Sequence, residues 1–150
     1  MRAINHALSG AIIGLSVGQP LLAAPLAFAS HYVLDVIPHH GAADGNDALG
    51  RRSFAVGLIV DALLCAILVL ILAVRQPLNW PLAAVCAFLA ASPDLFSFNR
   101  YWKTIHNQPF KAGRYSEFAH KIQWFERPIG AIVELAWLIA AVVIISPYLR

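Results

Sequence analysis

Residues 53–74 form an apolar segment in which Asp61 is the only charged residue. About 20 consecutive apolar residues are enough for a helix to cross the hydrocarbon core of a bilayer. Inside that core no water is present to bond the backbone N–H and C=O groups, so a single spanning segment has to be helical. The segment therefore predicts a transmembrane helix, and with it a helical membrane protein.

The composition agrees with a location in a bilayer. Hydrophobic residues occupy 59% of the 150 positions and charged residues only 13%, whereas a water-soluble domain of this length needs more polar surface. Cys65 and Cys86 lie inside apolar segments, which predicts two buried thiols and favours neither a disulfide nor a thiolate metal site.

Four further apolar segments surround this one in the chain. Residues 4–17 and 21–37 are each short for a full crossing and are separated by Gly18-Gln19-Pro20, so they form either two short crossings or a re-entrant hairpin. Residues 80–96 and 128–145 add two more helices. We predict an all-α, polytopic membrane bundle of about five helices, with residues 1–150 forming a single integral membrane domain.

Residues 98–127 interleave aromatic and basic side chains, such as Tyr101, Trp102, Lys103 and Trp124. This pattern predicts an amphipathic segment that lies in the headgroup region and contacts membrane lipids. Single-stranded nucleic acids are bound by similar residue types, but a segment tied between two membrane helices makes that partner unexpected. Anionic lipids or a phosphoester substrate fit the basic residues better. The sequence is also compatible with a homo-oligomer.

The basic residues also predict an orientation. If the first two helices return to their starting side, one face carries Arg2, Arg51, Arg52, Arg100, Lys103, Lys111, Arg114, Lys121 and Arg127, and the other carries Arg75 and Arg150. Because Lys and Arg are enriched in cytoplasmic loops, we predict a multi-pass protein of the cytoplasmic (inner) membrane. Its N-terminus lies in the cytoplasm and its C-terminus outside.

The histidines and carboxylates gather on that same predicted face. The residues concerned are His6, His31, His39, His40, His106, His120, Asp35 and Asp94, with Asp61 and Glu134 about two helical turns deeper. His31 and Asp35 are four residues apart and therefore share a helix face, and His39 follows after four more. Zinc accepts this set of nitrogen and oxygen ligands. We predict a divalent-metal site, with zinc favoured, whose nucleus is His31, Asp35 and His39.

Small residues predict how the first helix reaches that nucleus. Gly10, Gly14 and Gly18 follow His6 at intervals of four, and such series let membrane helices approach closely. If Gly10 and Gly14 pack against Ala23 and Ala27 of the second helix, His6 comes close to His31 and Asp35.

Asp61 and Glu134 are the candidates for catalytic roles, because a carboxylate inside a bilayer is costly and usually functional or paired. They would orient the metal ligands or act as a general base. In the alternative interpretation they pair with Arg51, Arg52, Arg127 or a protonated histidine. An alternative to metal ligation also exists for three histidines, which can instead lie at the membrane interface or cap helix ends: His6, His40 and His106.

Several motifs together resemble a known family. They are Asn5-His6 with its downstream glycines, the segment Ser30-His31-Tyr32-Val33-Leu34-Asp35-Val36-Ile37-Pro38-His39, the triplet Ser92-Pro93-Asp94, and His120. In order and hydropathy the chain is similar to the small, membrane-bound, predicted metal-dependent hydrolases of the YdjM-like kind. That family is thought to be distantly related to zinc-dependent phospholipase C and the P1-type nucleases.

The resemblance implies metal ligation by His6, His31, Asp35, His39, Asp94 and His120. It also implies a hydrolase that acts on a phosphoester, with a lipid favoured, at the cytoplasmic leaflet. Two alternatives remain: a non-enzymatic membrane protein that handles metal ions or protons, and a structural membrane subunit whose polar groups pair internally.

Overall fold

The computed structural model describes residues 1–40, 48–124 and 129–150. Every regular element in these ranges is a helix, which confirms the all-α prediction. The α-helices are α1 (Ala3–Val17), α2 (Pro20–Val36), α3 (Ala48–Arg75), α4 (Trp80–Ala91), α5 (Phe98–Ile105), α6 (Arg114–Ile122) and α7 (Gly130–Ile145), with 3₁₀ segments at Ser92–Ser97 and Ser146–Leu149. Arg127 and Pro128, which the sequence analysis used as a charge partner and a helix start, lie outside the described residues.

Three helical stretches are long and apolar enough to cross a membrane: Gly50–Arg75, Trp80–Ile105 and Gly130–Leu149. The remaining apolar helices, α1 and α2, are shorter, with 15 and 17 residues. These lengths agree with the prediction of a helical membrane protein.

The fourth helix extends further than predicted. The chain continues from α4 through the 3₁₀ segment directly into α5, so residues 98–105 prolong this helical stretch. Pro93 explains the local change of helix type, because proline lacks an N–H group and its ring clashes with the preceding turn. The Ser92 hydroxyl donates a hydrogen bond to the Leu89 carbonyl oxygen at 2.9 Å, and Asp94 follows in the altered turn.

The short helix α1 forms the centre of the molecule. It packs against α2, α3, α4 and α7, and ten of its residues, distributed around its circumference, are buried. A helix that is buried on all sides lies in the core of a bundle. The polar side chains of Asn5, His6 and Ser9 are therefore placed inside the protein, at 2%, 0% and 7% exposure.

The glycines of α1 pack against α4, and the prediction that they pack against α2 is wrong. A Cβ atom at Gly10 would overlap the carbonyl oxygen of Cys86, and one at Gly14 would overlap the backbone of Ala83. The two backbones therefore touch, as small residues in membrane helices allow.

The alanines of α2 also face α4. Ala23 and Ala27 are fully buried in one cluster with Cys86 and Ala90 of α4. Since α1 and α2 also contact each other, the three helices form a closely packed trio. His6 consequently reaches the end of α2, as predicted, although α4 rather than α2 receives the glycines.

Candidate metal centre

Asp35, at the end of α2, is the residue on which the candidate site centres. Its Oδ1 atom lies 3.2 Å from His6 Nε2, and its Oδ2 atom lies 3.3 Å from His31 Nε2. The three residues are at most 3% exposed. The imidazole rings of His6 and His31 stack with 4.1 Å between their centroids. The predicted contact of His31 with Asp35, and the approach of His6 to both, are present.

Asp94 joins this group from the 3₁₀ segment. Its Oδ1 atom lies 4.0 Å from His31 Nε2, and one ligand atom from each of His6, His31 and Asp94 lies within 4.8 Å of the other two. The Tyr101 hydroxyl donates a hydrogen bond to Asp94 Oδ1 at 3.3 Å. We refer to His6, His31, Asp35 and Asp94 as the His–Asp cluster.

Two observations test whether the His–Asp cluster suits a metal ion. His31 Nδ1 lies 2.9 Å from the carbonyl oxygen of Ala90, so Nδ1 carries a hydrogen and Nε2 is the ring atom that faces the cluster and would ligate a metal. Both ring nitrogens of His6 are buried: Nε2 faces Asp35 Oδ1 at 3.2 Å, and Nδ1 has no hydrogen-bond partner among the described residues. A buried polar atom of this kind marks a place for a water molecule or an ion.

The ligand atoms lie close enough together to share one ion. His6, His31 and Asp94 each offer an atom within 4.8 Å of the other two, and Asp35 contacts His6 and His31 through its two oxygen atoms at 3.2 and 3.3 Å. Imidazole nitrogens and carboxylate oxygens belong to the ligand set that zinc prefers. The residues present therefore fit a divalent metal.

Two hydrogen-bond donors also contact Asp35, and the sequence analysis missed both. Gln123 Nε2 donates to Oδ2 at 3.1 Å, and the α-amino group of Met1 donates to Oδ1 at 2.7 Å. A metal ion at Asp35 has to displace this ammonium group or bind the amine in its neutral form. Gln123 follows the last residue of α6 and lies three positions after His120, a spacing that could have indicated it.

His120 itself is exposed on α6 and belongs to no metal-ligand group among the described residues. His39 is buried, at 1% exposure, but also lies outside the group of His6, His31 and Asp94. Its Nδ1 atom lies 2.8 Å from the carbonyl oxygen of Ile37, and its backbone is packed against Gly130 of α7. The cause is Pro38, which favours an extended backbone at the preceding Ile37, observed there as a ψ of 148°. The helical spacing of four does not continue to His39.

Asp61 and Glu134 are both bound to Arg2, which was not among their predicted partners. Arg2 Nε donates to Asp61 at 3.1 Å, and the backbone N–H of Arg2 donates to Glu134 Oε1 at 3.0 Å. Asn5 adds a bond from its Nδ2 atom to the Glu134 carbonyl oxygen at 3.2 Å. These contacts, which we call the Arg2 clamp, fix the start of α1 between α3 and α7, one turn before His6.

A cavity of about 530 Å³ adjoins the His–Asp cluster between the first half of α3 and the α4–α5 stretch. Its polar lining includes Asp94 of the cluster, Gln123, which contacts Asp35, and the Arg2–Asp61 pair. Most of the remaining lining residues are apolar. We call this space the α3–α4 cavity.

Tyr115 of α6 supports the segment that carries Asp94. Its hydroxyl donates a hydrogen bond to the Pro93 carbonyl oxygen at 2.9 Å, and its ring packs against Phe96 with 5.3 Å between the centroids. Burial, together with the neighbouring Tyr32, raises the pKa of the Tyr115 hydroxyl above its usual range. The group therefore remains a donor at all physiological pH values, and the position of the turn does not depend on pH through this contact.

Comparison of the chain with protein-family models, with curated protein sequences and with solved structures finds no match.

Proposed function

We propose that the protein is a metal-dependent hydrolase of the cytoplasmic membrane that acts on a phosphoester, with a lipid favoured, at the cytoplasmic leaflet. The observation that carries this proposal is the His–Asp cluster, a buried and convergent set of nitrogen and oxygen atoms next to a cavity. The fully buried ring of His6, whose Nε2 atom faces Asp35, is its most informative member.

In this proposal His6, His31, Asp35 and Asp94 hold a divalent metal, with zinc favoured. The metal supplies Lewis-acid activation of a water molecule and of a phosphoryl oxygen. The Ala90 carbonyl oxygen keeps the His31 lone pair directed at the site, and Tyr101 and Gln123 orient the two carboxylates. Hydrogen bonds of this kind fix the orientation of metal ligands and increase their affinity for the metal.

The two deeper carboxylates take different roles. Asp61 lines the α3–α4 cavity together with Asp94 and is the proposed general base, which accepts the proton of the attacking water. Glu134 is bound to the backbone of Arg2 and the side chain of Asn5. It is therefore assigned a positioning role, which it exerts through α1 and His6.

The proposed orientation rests on the basic residues near the site. Arg2 and Arg100 line the same cavity as Asp94, and α5 and α6 carry Lys103, Arg114 and Lys121. Under the positive-inside rule this end of the bundle faces the cytoplasm, where basic side chains attract anionic headgroups.

A second candidate is a protein that handles metal ions or protons without catalysis. The observation in its favour is that both histidines of the stacked pair contact the same carboxylate, an arrangement that can also share protons.

Metal analysis of the detergent-purified protein tests the proposal. We expect stoichiometric zinc, manganese or iron in the wild type and negligible metal in His31→Ala and Asp35→Ala. The matched control His120→Ala removes an exposed histidine and should retain the metal. Negligible metal in all samples, even after metal supplementation, would exclude the hydrolase as proposed.

Hydrolysis of phosphodiester and phosphomonoester lipids by the loaded protein separates the two candidates. Metal-dependent turnover supports the hydrolase. Bound metal without turnover of any phosphoester favours the second candidate.

A further inference from the structure

The α3–α4 cavity lies along the first half of α3, whereas the second half of α3 joins the main hydrophobic core. Leu68 and Leu72, in its second half, belong to the main core cluster with Ala83 and Ala87 of α4. The first half of α3 borders the cavity instead, through Phe54, Leu58 and Ala62 among others. At the end near α5, the rings of Phe54 and Tyr101 meet edge to face with 5.5 Å between their centroids. This contact closes the cavity on that side.

The wall of the cavity that the α4–α5 stretch forms is apolar, and its side chains reach the lateral surface of the bundle. Phe88, Leu95 and Phe98 line the cavity and are 61%, 59% and 61% exposed. They lie on a stretch that is long and apolar enough to cross a membrane, so their exposed surfaces face hydrocarbon rather than water when it is inserted. The cavity therefore communicates with the bilayer interior.

The cavity also has a charged lining. Arg100 and Asp94 both line it, and the guanidinium of Arg100 forms no ion pair with any described residue. Arg2 lines it too and is bound to Asp61. Guanidinium groups bind phosphate in a bidentate manner. An apolar passage that leads from the bilayer to a free guanidinium and a carboxylate–histidine site matches an amphiphile, with its chain outside and its anionic group inside.

We propose that the α3–α4 cavity binds one hydrocarbon chain of an anionic membrane lipid, which enters sideways between α3 and the α4–α5 stretch and places its phosphate at Arg100. The assignment of this lipid as the substrate rests on the proposed hydrolase function. The binding of the chain does not, because it requires neither metal nor turnover.

Photolabelling of the metal-free protein tests the binding step. The probe is phosphatidic acid with a diazirine in its acyl chain, incorporated into phosphatidylcholine vesicles that contain the full chain. We expect labelled peptides to map to residues 53–62 and 88–98. In Leu58→Trp and Ala62→Trp the indole occupies the cavity, and labelling of these peptides should fall about tenfold, since excluding even two methylene groups has an effect of this size.

Matched controls place tryptophan at the next position of the same helix. Ile59 and Leu63 are 60% and 58% exposed and do not line the cavity, so Ile59→Trp and Leu63→Trp should label like the wild type. Arg100→Gln should reduce the preference for phosphatidic acid over a phosphatidylcholine probe. Excess unlabelled phosphatidic acid should compete with the probe, whereas water-soluble glycerol 3-phosphate should not.

Labelling spread over all outward helix faces and unchanged in the two cavity variants would show annular lipid only and would overturn the proposal. Competition by glycerol 3-phosphate as strong as that by phosphatidic acid would also overturn it, because the ligand would then come from water. If the purified protein binds negligible metal while the cavity labelling is as expected, the hydrolase is excluded and the lipid site remains supported.

Discussion

The His–Asp cluster and the Arg2 clamp lie at the same end of the bundle, and both contain buried carboxylates. They differ in the groups that neutralise the negative charge. Asp61 is bound by the Arg2 guanidinium, which is always charged, whereas Glu134 is bound by the backbone N–H of Arg2. Asp35 is contacted by the Met1 ammonium group and by two imidazoles, each of which can lose a proton and become a metal ligand. Asp61 is therefore paired with a permanent cation, whereas Asp35 lies among ionisable nitrogens that can exchange a proton for a metal.

The largest expected effect is on metal affinity, which should fall in a variant of the His–Asp cluster and remain in a variant of the Arg2 clamp. His6→Ala removes a ligand of the His–Asp cluster and should weaken metal affinity more than about 100-fold, since changes beyond the ligands themselves already reduce affinity 10–100-fold. Asp61→Asn alters only the Arg2 clamp and should leave the metal affinity within a few-fold of the wild type. Metal titration by calorimetry or competition with a chelator measures both. Equal losses in the two variants would show that the regions are not distinct.

The second effect concerns folding stability. Arg2→Met leaves Asp61 buried without its cation, and removal of one partner of a buried pair usually destabilises by 3–5 kcal/mol. Because the Arg2 side chain is 41% exposed, we expect a smaller loss, about 2 kcal/mol. Unfolding from mixed micelles with increasing SDS measures it.

The double variant Arg2→Met with Asp61→Asn is the control for this comparison. It removes the uncompensated charge and should recover a large part of the lost stability. A double variant as unstable as the sum of the two single variants would contradict the assignment of Arg2 as the partner of Asp61.

The third effect tests Gln123, which approaches Asp35 from α6. Gln123→Ala removes one hydrogen bond to a metal ligand and should weaken metal affinity about tenfold. Gln108 is exposed in the loop before α6, and Gln108→Ala should have no effect. If Gln123→Ala binds metal as tightly as Gln108→Ala, α6 does not support the site.

The smallest effect should come from Tyr101→Phe, which removes the hydroxyl that donates to Asp94 but keeps the ring contact with Phe54. We expect metal affinity to fall only a few-fold, because this hydrogen bond is long, at 3.3 Å, and a typical hydrogen bond contributes about 1 kcal/mol. Tyr148→Phe, which removes a hydroxyl bonded to Ser16 at the opposite end of α1, is the control. A loss greater than that of Gln123→Ala would give Tyr101 a more direct role.

The parts of the site that follow from helix geometry were predictable from the sequence. His31 and Asp35 lie one turn apart on one helix, so their contact depends only on α2 being helical. His39 was not predictable by the same spacing, because Pro38 ends the helix and directs the chain towards α7.

Pairing between helices was less predictable. Several helices carry small residues at intervals of four, so the sequence does not determine which of them receives Gly10 and Gly14. The partner of Asp61 was missed for a related reason. Candidate partners were sought in the loops between helices, whereas Arg2 directly precedes α1 and reaches back towards α3.

The central position of α1 has a consequence for how the protein is made. At about 1.5 Å per residue, its 15 residues extend about 22 Å, less than the 30 Å of a bilayer core, and they carry Asn5, His6 and Ser9. Such a helix is poorly suited to lipid until other helices surround it. One of those helices is α7, which follows α1 in the chain by more than 110 residues. Helix α1 is therefore synthesised well before it can reach its final surroundings, and the His–Asp cluster, which contains His6, forms after α1 itself has been made.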